Sequence, residues 1–575
     1  MMDFLFSLLW ETLVSLGTLG LMLFGFRMIV GKQAFDHCTK FLFLFVRKTI
    51  DFAAMIKSLF SLLFGSRRGT GFIKPSHKSL SGDGMRVAHK SYLTRSASMA
   101  QSLTIAAAGS GKTQSVLIPA VFDLASKKAP PSLVLTDPKG AIFEVVSGYL
   151  EKQGYKIKVI RPEELDRSNR FNPLFYVNTV AEYKQLSDSL LKAAEFGGTS
   201  GQSIWSRKAC DLVSLMISVV KRMPPEFQHL GNVHRLVQMI GDDGEALIPL
   251  FAAFGDQDPI YLEWKSLMAK NEEFLVGIVG NAEAMLEKLS DPNLSHLMAS
   301  NDLELEELRG DQPTALFLIF PAQKAQYYGF LASLLYKRVF DLSTERLDPK
   351  ARDLYCLLDE FTNCPAIPDF ANILTYIREF GVSINLFLQA SSQLEKVYGL
   401  TDSRSIIDGG CSTKIWLGKG IGSDDAYRLS QRLGVKEGKR GTESIMEAHQ
   451  LEQMPMGSVI VQQRGLPPAK LSKRSFDSYR KFRKWAALPA AVIENQNSRP
   501  VAWVDPDRFQ IIRDEPEVAQ ETILEENLEP SPETSDELEE PVEESQDIPM
   551  ELEVEPEVNR EEAEENIQSP TTENV

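Results

Sequence analysis

The sequence has few of the residues that build metal clusters, disulfide frameworks or covalent catalytic centres. Its 575 residues include five cysteines and seven histidines. The cysteines are scattered with no CxxC pair, so we expect single buried thiols in a reducing compartment, not zinc ligands or disulfides. The histidines show no HExxH or other paired spacing, and no GxSxG motif occurs. Metal-dependent hydrolysis and serine chemistry therefore have no support.

Charge is distributed unevenly along the chain. The formal net charge is −16, but residues 514–575 alone hold 24 acidic residues and one basic residue, Arg560. The rest of the chain is mildly basic. This asymmetry predicts a body that contacts phosphate and a tail that contacts a basic partner. Because the tail is rich in Glu, Pro, Ser and Thr and poor in aromatic residues, we expect it to be disordered in isolation.

Two apolar segments begin the chain. The first, residues 4–30, is apolar apart from Glu11 and Arg27 and is long enough to cross a membrane. No basic residue precedes it and no small-residue cleavage site follows, so we expect a retained anchor and not a signal peptide. The second, residues 41–64, has the spacing that predicts an amphipathic helix, either lying in the membrane interface or forming the second leg of a transmembrane hairpin. The excess of basic residues that follows predicts a cytoplasmic body.

The remainder has the alternating pattern of an α/β domain. Apolar runs at residues 132–136, 315–320, 354–358 and 384–388 are predicted to be buried parallel strands separated by helices. Residues 181–302, which lie between the first and the second of these runs, have helical spacing almost throughout. The expected organisation is an anchor at residues 1–65, an α/β domain in two parts at residues 66–180 and 303–500, an all-α domain inserted at residues 181–302, and an acidic tail at residues 501–575.

The strongest motif is Ala106-Ala-Ala-Gly-Ser-Gly-Lys-Thr113, which lies between an apolar strand and a predicted helix. It matches the P-loop pattern GxxxxGK[ST] except that Ala106 replaces the first glycine, where only a small side chain is required. Gly109, Ser110 and Gly111 would present backbone N–H groups to the phosphates of ATP. Lys112 would reach the β- and γ-phosphates, and the Thr113 hydroxyl would ligate Mg²⁺.

A pair of carboxylates follows the predicted strand at residues 354–358. Asp359 would hold the Mg²⁺ ion through water, and Glu360 would orient and deprotonate the attacking water. Such pairs are common by chance, and this one gains weight from the P-loop in the same chain. About 245 residues separate the two motifs. This distance argues against small GTPases and nucleotide kinases and favours a large motor domain.

Three further polar residues adjoin predicted strands. Gln389 follows the strand after the carboxylate pair and could sense the γ-phosphate. Arg378 is predicted on the helix between these two strands and could reach the nucleotide of a neighbouring subunit, a role that accelerates hydrolysis by about 10³ to 10⁵. Taken alone, both have a structural interpretation as a strand end and a solvated charge. Asp137, in Asp137-Pro-Lys-Gly140, is predicted to form a strand-to-helix turn, with a role near the nucleotide as the alternative.

As a set, these motifs resemble the type IV secretion coupling proteins, the TraG/TraD group of conjugative ATPases. The resemblance covers roughly residues 103–470 and also includes Phe171-Asn-Pro-Leu174, Ile204-Trp-Ser-Arg-Lys-Ala209, Arg378-Glu-Phe-Gly381, Leu388-Gln-Ala-Ser-Ser-Gln-Leu394 and Tyr398-Gly399. It implies a RecA-like domain with an inserted all-α domain, an inner-membrane anchor and a hexameric ring that passes relaxase-bound single-stranded DNA to the secretion channel. It also implies nucleotide roles for Lys112, Thr113, Asp359, Glu360 and Gln389, with Arg378 as a finger in trans.

Three other hypotheses remain open at this point. The same ATPase could export effector proteins, since its nucleotide-binding motifs do not identify the transported substrate. An FtsK-like pump for double-stranded DNA would be expected to end in a winged-helix DNA reader, whereas this chain ends in an acidic tail. A membrane scaffold that only binds nucleotide is disfavoured by the co-occurrence of Glu360, Arg378 and Gln389. The tail itself is expected to dock a basic accessory protein, with a solubilising role as the alternative.

Overall fold

The computed structural model describes residues 71–194, 204–345, 347–438, 441–494 and 500–505. The two apolar segments at residues 4–30 and 41–64, and the acidic tail beyond residue 505, lie outside these ranges. None of the helices within the ranges has both the length and the hydropathy needed to cross a bilayer.

One large sheet organises the described residues. The strands are β1 (Arg86–Ala88), β2 (Ser91–Tyr92), β3 (Ser102–Ile105), β4 (Ser132–Asp137), β5 (Lys156–Ile160), β6 (Thr314–Ile319), β7 (Leu354–Leu358), β8 (Val382–Leu388), β9 (Thr413–Leu417), β10 (Val435–Gly438), β11 (Gly441–Ser444), β12 (Ser458–Gln463) and β13 (Ala469–Ser472). Nine strands of the described ranges form the sheet, in the order β13-β12-β9-β3-β8-β7-β4-β6-β5. All neighbours are parallel except β12, which is antiparallel to both β9 and β13. The predicted parallel α/β sheet is therefore confirmed.

Helices cover the sheet and connect its strands. They are α1 (Arg95–Met99), α2 (Ile118–Ala125), α3 (Ala141–Lys152), α4 (Val180–Ala194), α5 (Ile204–Lys221), α6 (Leu230–Asp243), α7 (Ile248–Ala252), α8 (Pro259–Met268), α9 (Glu272–Leu286), α10 (Pro292–Leu297), α11 (Ala325–Glu345), α12 (Phe370–Tyr376), α13 (Ser391–Arg404), α14 (Ser423–Leu433), α15 (Ala448–Glu452) and α16 (Arg480–Ala486). Two small hairpins, β1-β2 and β10-β11, stand apart from the large sheet.

The sheet separates two hydrophobic cores because side chains alternate between the faces of a strand. On β4, Leu133 and Leu135 join the core that contains α2 and α3, whereas Val134 joins the core on the other side. The central strands are buried along their whole length, as expected for parallel strands covered by helices on both faces. This burial leaves the strand ends and the loops beyond them as the places where polar side chains can meet.

A long helical excursion separates two adjacent strands. β5 and β6 pair in parallel register, yet the chain between them runs through seven helices of the described ranges, α4 to α10. No strand occurs in the described part of this interval. Its helices pack mainly on one another, with α5 contacting both α4 and α9. The helical body is thus attached at the β5–β6 side of the sheet, and three strands, β8, β7 and β4, separate β6 from β3.

Candidate nucleotide-binding site

The P-loop follows β3 and leads through a π-helical turn at Thr113–Leu117 into α2. Gly109 and Gly111 have φ values of 70° and 82°, in the left-handed region that glycine adopts without strain. Ala106 is not among the described residues with positive φ, which explains why alanine is accepted where the motif usually has glycine. Its N–H donates to the Leu388 carbonyl at 3.0 Å and joins the start of the loop to the end of β8.

The loop meets the carboxylate pair across the sheet. β3 is separated from β7 only by β8, and all three strands are parallel, so their carboxyl ends share one edge. The Thr113 hydroxyl donates to Asp359 Oδ2 at 2.8 Å, and Lys112 Nζ lies 3.0 Å from Asp359 Oδ1. Lys112 Nζ is also 3.9 Å from a carboxylate oxygen of Glu360. Lys112 and Asp359 are both buried. Two sequence motifs predicted to share a site therefore converge.

Two buried donors in this loop are left without hydrogen-bond partners in the described part of the chain. Lys112 Nζ makes no hydrogen bond of good geometry, although the Asp359 carboxylate is close, and the Ser110 hydroxyl has no partner. Buried polar groups without partners are costly, so they indicate a place where a ligand supplies the missing acceptors. A phosphate chain fits, since it offers anionic oxygens to an ammonium at a helix N-terminus. The Thr113 hydroxyl and the Asp359 carboxylate are hard oxygen donors that suit Mg²⁺.

Glu360 is held in an unusual backbone conformation beside this pair. Its φ of 50° lies in the left-handed region, which non-glycine residues seldom adopt. Asn363 donates from Nδ2 to Glu360 Oε2 at 3.1 Å. The side chain is partly exposed and can be reached by water. Strained conformations of this kind concentrate at active sites, where the surrounding structure fixes a side chain in one orientation.

Gln389 lies at the same edge, directly after β8. Its backbone N–H donates to the side-chain carbonyl of Gln393 at 3.1 Å, and the Thr362 hydroxyl donates to the same oxygen at 3.4 Å. Gln393 therefore connects the loop after β8 with the loop after β7. The neighbouring residue Leu388 accepts from the first residue of the P-loop. Gln389 thus adjoins the loop, and its role as a γ-phosphate sensor stays a prediction.

Arg378 lies elsewhere. It is exposed in the 3₁₀ turn Ile377–Phe380, just before β8 begins. The P-loop adjoins the far end of β8, so the seven residues of this strand separate the two, a distance of about 20 Å at 3.3 Å per residue. The structure therefore does not bring Arg378 to the nucleotide site of its own chain.

The family described as "Type IV secretory system Conjugative DNA transfer" matches residues 72–466, more than half of the chain. The chain belongs to this family. The resemblance to type IV secretion coupling proteins drawn from the motifs is thereby confirmed. No curated protein sequence matches the chain.

Solved structures of a conjugative coupling protein share the fold of this family member. TrwBdeltaN70, in a trigonal form with sulphate, is 18% identical with a TM-score of 0.54, and the match covers 71% of this chain and 94% of that one. The plasmid coupling protein TrwB in complex with ADP and Mg²⁺ is 18% identical with a TM-score of 0.53, covering 76% of this chain and 97% of that one. The predicted RecA-like fold is therefore confirmed.

Asp137 lies at the end of β4, where it shapes the turn into α3. Its carboxylate accepts from the backbone N–H groups of Phe143 at 2.7 Å and Lys139 at 3.4 Å. Burial raises the pKa of Asp137 to about 6, although the bond from Phe143 opposes the shift and the charge of Asp359 adds to it. These bonds agree with the predicted turn. Among the described residues, no hydrogen bond joins the Asp137 carboxylate to the P-loop.

Two lysines that no sequence motif indicated contact the P-loop. Lys473, directly after β13, donates from Nζ to the Ser110 carbonyl, and Lys419, after β9, donates to the Gly109 carbonyl at 3.4 Å. Lys473 is 7% exposed, whereas Lys419 is exposed. A signal for Lys473 exists in the alternation of β13, where Ala469 and Leu471 are buried and Lys470 is exposed. The same alternation places the residue at position 473 on the inward side.

Proposed function

We propose that this chain is an ATPase that couples hydrolysis to the transfer of DNA into a type IV secretion channel. The observation that carries the proposal is the convergence of Lys112, Thr113 and Asp359 at one edge of the sheet, in a member of a conjugative DNA transfer family. The proposed cargo is single-stranded DNA bound by a relaxase, recruited and pumped as a nucleoprotein. The family description favours DNA over effector proteins as the cargo.

ATP is the proposed fuel, and the P-loop is its proposed binding site. Backbone N–H groups around Gly109, Ser110 and Gly111 hold the phosphates, while the Lys112 ammonium supplies a positive charge beside them. Ala106 begins the loop next to the end of β8, and its small side chain leaves room for the loop. The Thr113 hydroxyl would ligate Mg²⁺, and the Asp359 carboxylate would hold the ion through water. Bound Mg²⁺ would offset the negative charge of the β- and γ-phosphates. TrwB, which has this fold, was solved with ADP and Mg²⁺ and with an ATP analogue.

Three residues are proposed to act on hydrolysis. Glu360 orients the attacking water and accepts its proton, supported by the bond from Asn363 that fixes the carboxylate. The Gln389 amide responds to the γ-phosphate from the loop after β8. Arg378 serves the site of a neighbouring subunit, since it lies at the opposite edge of its own sheet. This arrangement requires an oligomer, and a ring of six identical subunits is the proposed assembly.

The segments outside the described ranges are proposed to place and load this motor. Residues 1–65 anchor it in the bacterial inner membrane, by one or two transmembrane helices, with the bulk of the chain in the cytoplasm. The acidic tail recruits a basic accessory protein of the DNA-processing complex by long-range attraction. Together these segments keep the ring beside the channel and bring the cargo to it.

The test measures ATP hydrolysis by the full-length protein in lipid nanodiscs, with and without single-stranded DNA, together with DNA transfer between cells. Lys112→Ala is expected to abolish both hydrolysis and transfer. Lys470→Ala, which removes an exposed lysine from β13, is the matched control and should retain both. DNA transfer that persists in Lys112→Ala cells would show that transfer does not depend on this site.

A further inference from the structure

We infer that Lys473 is a positioning residue that orients the Ser110–Gly111 peptide group of the P-loop for phosphate binding. This inference rests on the proposed nucleotide-binding function. The observation behind it is the hydrogen bond from Lys473 Nζ to the Ser110 carbonyl, between residues 363 positions apart in the sequence. Lys473 belongs to no P-loop or carboxylate motif. It comes from the end of the antiparallel part of the sheet.

Lys473 is buried without a negatively charged partner. It is 7% exposed, and no carboxylate among the described residues forms an ion pair with it. Its backbone N–H donates to the Gly457 carbonyl at 2.8 Å, which fixes the end of β13. A buried ammonium that lacks a carboxylate destabilises a fold unless other groups compensate for its lost hydration. The acceptor that it does have is the loop itself, so the contact is directed at the site.

The bond has a geometric consequence for the next residue of the loop. In a trans peptide unit, the C=O and the following N–H point in opposite directions. Because Lys473 holds the Ser110 carbonyl, the N–H of Gly111 points away from Lys473. Gly111 adopts a φ of 82°, which makes this orientation available. A donor needed for phosphate binding is thereby fixed before any nucleotide arrives, which lowers the cost of ordering the loop.

The charge environment also favours an anion. Lys419, from the loop after β9, contacts the adjacent Gly109 carbonyl, and Lys112 lies in the same loop, so three ammonium groups surround this short segment. Asp359 and Glu360 face Lys112 and not Lys473. Burial and, secondarily, the charge of Lys419 lower the pKa of Lys473 to about 8. Phosphate favours the charged form, so nucleotide affinity should decline as pH rises through this pKa.

The decisive experiment titrates a fluorescent ADP analogue with Mg²⁺ into the full-length protein between about pH 7.5 and pH 9.5. Lys473→Met should weaken binding about tenfold at the lower pH, because a charge-assisted hydrogen bond is lost, and should flatten the pH dependence. Lys473→Arg, which stays charged, should retain most of the affinity with a flat profile. The control is Lys470→Met, which removes an exposed lysine from the same strand.

Two outcomes would overturn the inference in distinguishable ways. If wild-type protein binds the analogue and Lys473→Met binds it equally well, then Lys473 does not position the loop. If wild-type protein shows no binding at all, the proposed nucleotide site fails, and the inference fails with it. Should Lys473→Met not fold, as judged by its thermal unfolding, the wild-type pH profile and Lys473→Arg decide. A wild-type affinity that does not fall with pH would count against the role.

Discussion

The Thr113 hydroxyl donates directly to the Asp359 carboxylate at 2.8 Å, although 246 positions separate the two residues. Both oxygens are proposed to hold Mg²⁺, Asp359 through water, and here they bind each other. Bound Mg²⁺ would compete with this bond for the hydroxyl and for the carboxylate. The bond therefore holds the P-loop and the carboxylate pair next to each other. It also stabilises the buried Asp359 carboxylate beside the P-loop.

Thr113→Val is expected to weaken nucleotide binding in the presence of Mg²⁺ by about tenfold or more, because the ion loses an oxygen ligand. Binding in EDTA should change much less, since the phosphate donors of the loop remain. Thr113→Ser keeps the hydroxyl and serves as the control. Titrations with and without Mg²⁺ measure the difference. Equal losses in both conditions would show that the hydroxyl does not serve a metal.

Mixing experiments test whether Arg378 acts across a subunit interface. Arg378→Ala and Lys112→Ala proteins should each be nearly inactive, because one lacks the finger and the other the phosphate lysine. Mixed rings contain some sites with both residues intact, so the mixture should regain part of the ATPase activity. The measurement is the hydrolysis rate against mixing ratio. A mixture no more active than the sum of its parts would count against a finger in trans.

Asn363→Ala should lower the rate of hydrolysis about tenfold while leaving ADP affinity nearly unchanged, because it releases the Glu360 carboxylate from its 3.1 Å bond without touching the P-loop. Asn372→Ala is a matched control, since Asn372 makes a similar bond to Asp369 on an exposed surface. Steady-state kinetics and equilibrium binding separate the two effects. A loss of affinity equal to the loss of rate would mean that Asn363 supports the loop and not the carboxylate.

Truncation after Arg513 removes the segment that carries 24 acidic residues. ATP hydrolysis should be unaffected, because the P-loop and carboxylates remain, whereas DNA transfer and pull-down of the accessory protein should fall. A control carries the same tail composition in scrambled order. Full transfer with the scrambled tail would show that charge alone suffices. Full transfer by the truncated protein would reduce the tail to a solubility device.

The centre of the site could be predicted because its residues lie in two continuous motifs. Residues 106–113 combine glycines, a lysine and a threonine at a spacing set by the phosphate chain. Asp359 and Glu360 follow an apolar run, and parallel strands bring such ends to one edge. The position of Gln389 could be predicted for the same reason, since it directly follows the parallel strand β8. In each case the strand that positions the side chain is its immediate neighbour in the sequence.

The rest of the site depends on contacts that no local pattern contains. Lys473 follows β13, in the antiparallel extension of the sheet that the sequence did not predict, and Lys419 is a single lysine in the loop after β9. Asn363 and Gln393 act through hydrogen bonds between loops that only the folded sheet brings together. Side-chain partners of this kind follow from strand order, and strand order is not set by hydrophobic periodicity.

The central claim is that this site hydrolyses ATP through Glu360, and a single variant tests it most directly. Glu360→Gln keeps the shape of the side chain and removes its capacity to accept a proton from water. This variant should bind ATP with wild-type affinity or tighter, retain it unhydrolysed after rapid gel filtration and lose most of its phosphate release. Phosphate release by Glu360→Gln at the wild-type rate would contradict hydrolysis through Glu360.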